Sequence, residues 1–322
     1  MEENYLKAKQ IVLERFSKDY PYYPMLVLGV FALLNQYPTY EELIRSLFLE
    51  LRLIIEPESM LTIVKKYQLD FADFAEEEEK IEGSSQATFG VSSPGKFFTI
   101  ENQHFQESID QPTLILSSLC RYEVLLNIFV HEMNHLMKSR INAYEIKQEG
   151  DIETCSVRSG IHVTIYEYYP ERDTVSELDG YSILEEAINT VQTTEMMHSI
   201  LAFDGIYPDQ KVQDYLDHCS KKNLGKDFGY NRIVKLFRPL WEVPKFRTLV
   251  EENLVEGNLS PIWQHYDSIM GEEEFEYLAD LLDELDEVEC SSASIKRLLS
   301  IQYQIKNKIR EYCKRMSYVY KK

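Results

Sequence analysis

The sequence predicts an α+β protein, predominantly helical, and three observations predict it. Apolar residues recur at steps of three and four through both ends of the chain, the period of a helix buried on one face. One central stretch, Ile161-His-Val-Thr-Ile-Tyr-Glu-Tyr168, alternates with a period of two, as a strand does. The composition is that of a folded globular chain: 322 residues, 44% hydrophobic and 27% charged, with only 12 Gly and 11 Pro. At that length one large domain or two modest ones bury a sizeable core.

Residues 1–90 read as an N-terminal helical region. The helix predicted over Glu41–Ile55 carries Leu43, Ile44, Leu47, Leu51 and Ile54 at helical spacing, and Pro57 ends it. A further segment, Phe71–Gln86, contains the acidic run Glu76–Glu79, which reads as solvated surface. Ser84-Ser85 and Ser92-Ser-Pro-Gly95 are loop signals and set a boundary near residue 90.

Residues 91–205 form the mixed segment. Lys96–Ile100 reads as a strand and Tyr122–Ser139 as a helix with an apolar stripe. Ser159-Gly160 turns a hairpin from Glu153–Arg158 into Ile161–Tyr168. In that second strand Ile161, Val163 and Ile165 share one face, and His162, Thr164, Tyr166 and Tyr168 the other. Helical periodicity returns over Ser182–Ala202.

Residues 206–322 read as almost wholly helical, punctuated by Gly225, Gly229, Pro239, Pro244 and Pro261, with Trp241 and Trp263 expected to anchor the packing. The end is organised by charge. Residues 272–289 hold ten acids and no base, and residues 293–322 hold nine bases and one acid, Glu311. Ile295, Leu298, Gln302, Ile305, Ile309, Tyr312, Met316 and Val319 make a heptad seam, echoed by Phe275, Leu278, Leu282 and Leu285. An antiparallel helical hairpin with paired opposite charges is expected, and its heptads leave room for a homodimer.

Net charge is -20, from 34 Lys+Arg against 54 Asp+Glu. So acidic a surface repels phosphates, which argues against nucleic acid or an anionic membrane as partner. The longest apolar run, Met25–Leu34, is ten residues, and a bilayer span needs about 20. The acidic start Met1-Glu-Glu-Asn-Tyr5 has no secretion-signal pattern, so a soluble, cytoplasmic chain is expected. Cys120, Cys155, Cys219, Cys290 and Cys313 are scattered and odd in number, the usage of reduced thiols.

The chemistry sits in Leu125-Leu-Asn-Ile-Phe-Val-His131-Glu132-Met-Asn-His135-Leu-Met137. Residues four apart share a helix face, about 6 Å apart at Cβ, so His131 and His135 can converge on one zinc ion. Glu132 reaches beside the metal without being a ligand and can take a proton from an activated water. His104, His218 and His265 are isolated and read as structural. There is no GxGxxG, GxxxxGK[ST] or GxSxG string.

A catalytic zinc needs a third protein ligand and an open fourth position. Leu184–Thr190 supplies the carboxylates, with Glu186 lying 51 residues after His135. Glu185, about 100° away on the same helix, His198, three turns on, and a distant Asp are the alternatives. An oxyanion donor is also required, and His162, Tyr166, Tyr168, Arg158 and Tyr181 are the candidates among a chain with 22 Tyr.

The two strings together resemble the thermolysin-like zinc metallopeptidases, the gluzincins. The resemblance covers Leu125–Glu195 and is specific at its two motifs. The family's second helix carries a pattern close to Asn-Glu-Ala-x-Ser-Asp, and Glu185-Glu186-Ala187-Ile188-Asn189-Thr190 matches it with the ligand on Glu186. Glu185 then stands where the family often has Asn, and Thr190 replaces the carboxylate that orients a zinc-bound His. The resemblance leaves that orienting task to Thr190, Asn189, Glu185 or an acid such as Asp179. It implies a zincin-like core, a small sheet over two metal-binding helices, one Zn2+ per chain, and a peptide or protein substrate. It also implies an edge strand above the site, for which Lys96–Ile100 and Ile161–Tyr168 are the candidates. The expected activity is peptide hydrolysis with Glu132 as general base. The alternative is a zinc-binding, non-hydrolytic regulatory protein that works through its C-terminal helices.

Overall fold

The computed structural model describes residues 2–67, 90–101, 104–141, 144–149, 152–172, 174–201, 207–220, 223–224, 230–253, 258–290 and 295–319. The segment Phe71–Gln86, with Glu76–Glu79, lies outside them. The fold is α+β and mostly helical. In chain order α1 (Glu2–Leu13), α2 (Tyr23–Gln36), α3 (Glu41–Glu50), β1 (Arg52–Glu56) and α4 (Met60–Tyr67) come first. Then come β2 (Gly90–Ser93), β3 (Lys96–Glu101), β4 (His104–Ile109) and β5 (Thr113–Ser117). α5 (Tyr122–Ile141) leads into β6 (Tyr144–Glu149), β7 (Ile152–Ser159), β8 (His162–Tyr169) and β9 (Thr174–Gly180). The helices α6 (Ser182–Leu201), α7 (Gln210–His218), α8 (Asn231–Trp241) and α9 (Pro244–Asn253) follow. α10 (Ser260–Met270), α11 (Glu274–Cys290) and α12 (Ile295–Val319) end the described chain.

Two compact units emerge. One comprises Met1–Lys96, Ile109–Met137 and Gln192–Phe228, the other Phe97–Ser108, Lys138–Val191 and Gly229–Lys322. The division falls inside α5 after Met137 and inside α6 after Val191.

The first unit is built on α2. Every residue from Tyr23 to Leu34 is buried, the mark of a helix that is apolar all round and surrounded by protein. No helix among the described residues is long and apolar enough to cross a membrane. A three-stranded sheet, ordered β1-β5-β2, pairs β1 parallel and β2 antiparallel to β5. α4 packs Met60, Ile63 and Val64 against Ile54 and Ile115 of this sheet.

β1 corrects the sequence expectation, which carried the helix on to Ile55. The helix stops at Glu50, Leu51 is extended (φ -58, ψ 125), and Arg52–Glu56 pairs with Thr113–Ser117. Leu53, Ile54 and Ile55 satisfy either period, and two β-branched residues beside the wholly buried strand β5 decide for extended chain.

In the second unit β6-β7-β8-β9 form an antiparallel meander and β3 pairs with β4. The expected hairpin stands, with Gly160 at φ +64 in its turn, where a side chain would be strained. The helices α8–α12 enclose one large apolar cluster that Trp241 joins. Trp263 does not anchor it and is 38% exposed, because α10 turns Ile262 and Tyr266 inward and leaves Trp263 about 100° off that face.

α11 and α12 form the expected antiparallel hairpin. Arg297 pairs with Glu284 at 2.9 Å, the Tyr277 hydroxyl donates to Gln304 Oε1 at 2.9 Å, and Lys308 pairs with Glu274. Partner numbers fall on α11 as they rise on α12. The seam departs from the expected heptads at its start: Ile301 is buried where Gln302 was expected, and Ile295 is 75% exposed. Ile305, Ile309, Tyr312 and Met316 continue it inside the unit's own core. Cys120, Cys155, Cys219 and Cys313 are free thiols. Burial pushes Cys155 up to about 11 and Cys219 to about 12, which leaves both protonated and inert.

Candidate metal centre

α5 is held by its apolar side: Leu125, Leu126, Phe129, Val130, Met133 and Leu136 are all buried. Its other side carries Asn127, His131, Asn134 and Lys138 at steps of four, three and four, a polar stripe at helical period. His131 and His135 are half-buried and their Nε2 atoms lie 3.1 Å apart. Two nitrogens bonded to one zinc at about 2.0–2.1 Å and 3.1 Å apart subtend an angle of about 98°, near tetrahedral. In the metal-free chain the same separation carries one N–H···N hydrogen bond.

One ligand atom of Glu186 completes a group in which all three donors lie within 4.8 Å of one another. Two imidazoles and a carboxylate are a donor set that suits zinc with a position left for water or substrate. Among the described residues no other group of three His, Cys, Asp or Glu is placed to hold a metal ion.

Glu185 is committed elsewhere. Its Oε1 accepts from Lys138 Nζ at 2.6 Å and its Oε2 accepts from the Ile161 N–H at 3.0 Å. Lys138 is wholly buried and also donates to Asn189 Oδ1 at 3.1 Å. Gly160 makes room for this carboxylate, since a Cβ there would stand 2.4 Å from Glu185 Oε2. Burial pushes the Lys138 ammonium below the ordinary lysine value, opposed by the charge of Glu185 and then of Glu186. Glu185 and Asn189, named in the sequence as candidates to orient a ligand histidine, both accept from this buried ammonium. His198 is exposed, three turns beyond Glu186. Thr190 is 2% exposed and its hydroxyl has no hydrogen-bond partner among the described residues.

Glu132 is half-buried, and the Ser92 hydroxyl donates to its Oε2 at 2.7 Å. Ser92 lies on β2, which crosses α5 closely: a Cβ on Gly90 would meet Ile128 Cγ2 at 2.2 Å and Glu132 Cγ at 3.5 Å. Only glycine admits the strand at that height. Among the described residues β2 pairs with β5 alone, so it is the edge strand beside Glu132. Two other strands were expected in that place. β8 is an interior strand between β7 and β9, and β3 pairs with β4. A short interrupted stretch, Gly90-Val-Ser-Ser93, carried only a loop signal in the sequence.

The oxyanion candidates are placed as follows. Tyr168 is buried against Phe105 and Cys155, with Tyr166 packed on the same cluster. His162 Nε2 lies 3.3 Å from the Thr164 hydroxyl on the same strand. Arg158 sits on β7 opposite Val163. Tyr181 has φ +66 and stacks on Phe275 at 5.9 Å, spending its ring in helix packing. Burial, then the acids Glu276, Asp280 and Asp267, raise its hydroxyl above the usual tyrosine value. His104 pairs with Glu153 at 3.5 Å, His218 Nδ1 lies against the Asp214 carbonyl, and His265 packs edge-on against Tyr312.

A second buried group braces α5. The Tyr37 hydroxyl donates to Asn134 Oδ1 at 2.8 Å, and Asn134 Nδ2 donates to Gln192 Oε1 at 3.3 Å. Lys138, Ser92, Tyr37 and Gln192 were not read from the sequence. The polar stripe on α5 was the one available signal, since an apolar helix does not bury Asn134 and Lys138 without partners. No protein-family model, curated protein or solved structure matches the chain.

Proposed function

We propose that the chain is a zinc-dependent metallopeptidase of the gluzincin kind, with His131, His135 and Glu186 as metal ligands and Glu132 as general base. The observation that carries this reading is the gathering of those three donors within 4.8 Å, with Glu132 beside His131 on the same helix. Bound there, zinc would lower the pKa of water and polarise a substrate carbonyl. Glu132 accepts the proton of the attacking water and delivers it to the leaving amine. The Ser92 hydroxyl, 2.7 Å from Glu132 Oε2, fixes the carboxylate in that position. The backbone edge of β2 that no described strand pairs is the place for an extended peptide to pair, beside the base.

The activity test is Glu132→Gln. That variant is expected to keep its zinc and lose peptide-library hydrolysis by at least about 100-fold, the typical share of a general base. Full turnover in it would overturn the mechanism. Thr190 favours one rival, a metal-binding regulatory chain, because its hydroxyl replaces an orienting carboxylate. Zinc bound by the wild type with no library peptide cleaved would decide for that rival.

A further inference from the structure

The expected dimer seam is spent inside the chain, and the opposite face of the same helix is left outward. Ile295, Leu299 and Tyr303 follow each other at steps of four on α12 and are 75%, 56% and 67% exposed. The same face continues through Lys306, Arg310 and Lys314, at steps of three, four and four. All three are exposed and none forms an ion pair among the described residues. On α11 the outward positions Glu276, Asp280 and Glu287 are exposed acids, again without a cation partner among the described residues. The hairpin therefore neutralises its charges along the α11–α12 junction and leaves an outward acidic face on α11 beside an outward basic and apolar face on α12.

We propose that this hairpin is a self-association surface, and that its occupant is the same hairpin of a second copy. A two-fold axis sets α12 of each protomer against α11 of the other, so that each opposite-charge contact is made twice and a four-helix bundle results. The occupant is named by charge: the basic stripe needs an acidic helix, and the chain carries one on its own hairpin. The net charge of -20 opposes association only weakly, since exposed charges more than about 8 Å apart are largely screened at physiological salt and local complementarity decides the contact. Size agrees as well. α12 has 25 residues and α11 has 17, and helices of those lengths, about 37 and 25 Å long and about 10 Å wide, cover about 600 Å2 a side. That is the lower end of stable interfaces. The proposal does not depend on the metal site.

The test is sedimentation of the full chain over a concentration series, with two charge-reversed variants. One is Lys306→Glu/Arg310→Glu/Lys314→Glu and the other is Glu276→Lys/Asp280→Lys/Glu287→Lys. Wild type is expected to reach the mass of two chains, and each variant alone to dimerise at least tenfold more weakly. Mixed in equal amounts the two variants are expected to form a dimer again, because each reversed face then meets its complement. Leu299→Ser/Tyr303→Ser is expected to weaken the dimer with the hairpin's helicity unchanged. A wild type that stays monomeric, reversed variants that dimerise as wild type does, or a mixture that does not recombine would each overturn the proposal. A monomer that instead sediments with phosphatidylglycerol vesicles would assign the face to lipid and overturn it too.

Discussion

The α5–α6 pair and the α11–α12 hairpin use charge in opposite ways. In the pair, polar groups are taken out of water: Lys138, Glu185, Asn189 and Asn134 are all 2% exposed or less. In the hairpin, Arg297 and Glu284 meet at the surface, with side chains 57% and 36% exposed. A buried charge is costly unless its partner and hydrogen bonds are complete, whereas a surface pair contributes little either way. The buried node is the part of the chain that tolerates no loss, and it lies on the two helices that carry the metal donors.

The largest effect should come from breaking that node. Lys138→Met leaves Glu185 buried and unpaired and is expected to cost ~3–5 kcal/mol of stability by denaturant unfolding. A loss under about 1 kcal/mol would show that Glu185 finds water or another donor.

A smaller effect of opposite sign is expected at Asp286 on α11. Burial, then Glu289, Asp283 and Glu186, raise its carboxyl from the usual aspartate value to about 6. The folded state thus binds this proton more tightly than the unfolded chain does. Its charged form destabilises above about pH 6, and the penalty is relieved as pH falls toward about 4. Asp286→Asn should gain ~1–2 kcal/mol near neutral pH, after discounting for partial exposure, and nothing at about pH 4. A melting-temperature gain independent of pH would rule out the titration as its cause. The smallest effect belongs to Arg297→Gln, which should cost under about 0.5 kcal/mol and less at high salt. A loss as large as that of Lys138→Met would erase the contrast between the two regions.

The same contrast explains what the sequence made legible. Periodicity located α5, α6, the β7–β8 hairpin and the antiparallel α11–α12 pair, because each buries one face and repeats its pattern over many residues. The His-x3-His spacing was legible because one helical turn brings its two imidazoles together, and Glu186 because it stands on a second helix in a matching motif. β1 and β5 were not, since a five-residue strand with three apolar residues fits either period and its pairing partner is 61 residues away, from Arg52 to Thr113. Ser92 and Lys138 were not either. Their roles are set by what faces them across the fold, Glu132 for one and Glu185 for the other, and spacing along the chain carries no trace of that. The choice between Glu185 and Glu186 rested on helical facing, spacing and the motif match, and the ammonium of Lys138, which takes Glu185, gives it a further physical reason.

The central claim is that Glu186 closes a three-donor site, and it is tested most directly by elemental analysis of wild type and Glu186→Ala, zinc-loaded and gel-filtered side by side. The account predicts one zinc per chain in the wild type and a sharply reduced content in the variant, with circular dichroism unchanged because Glu185 still pairs with Lys138. Zinc retained by the variant, or no zinc held by the wild type, would contradict it.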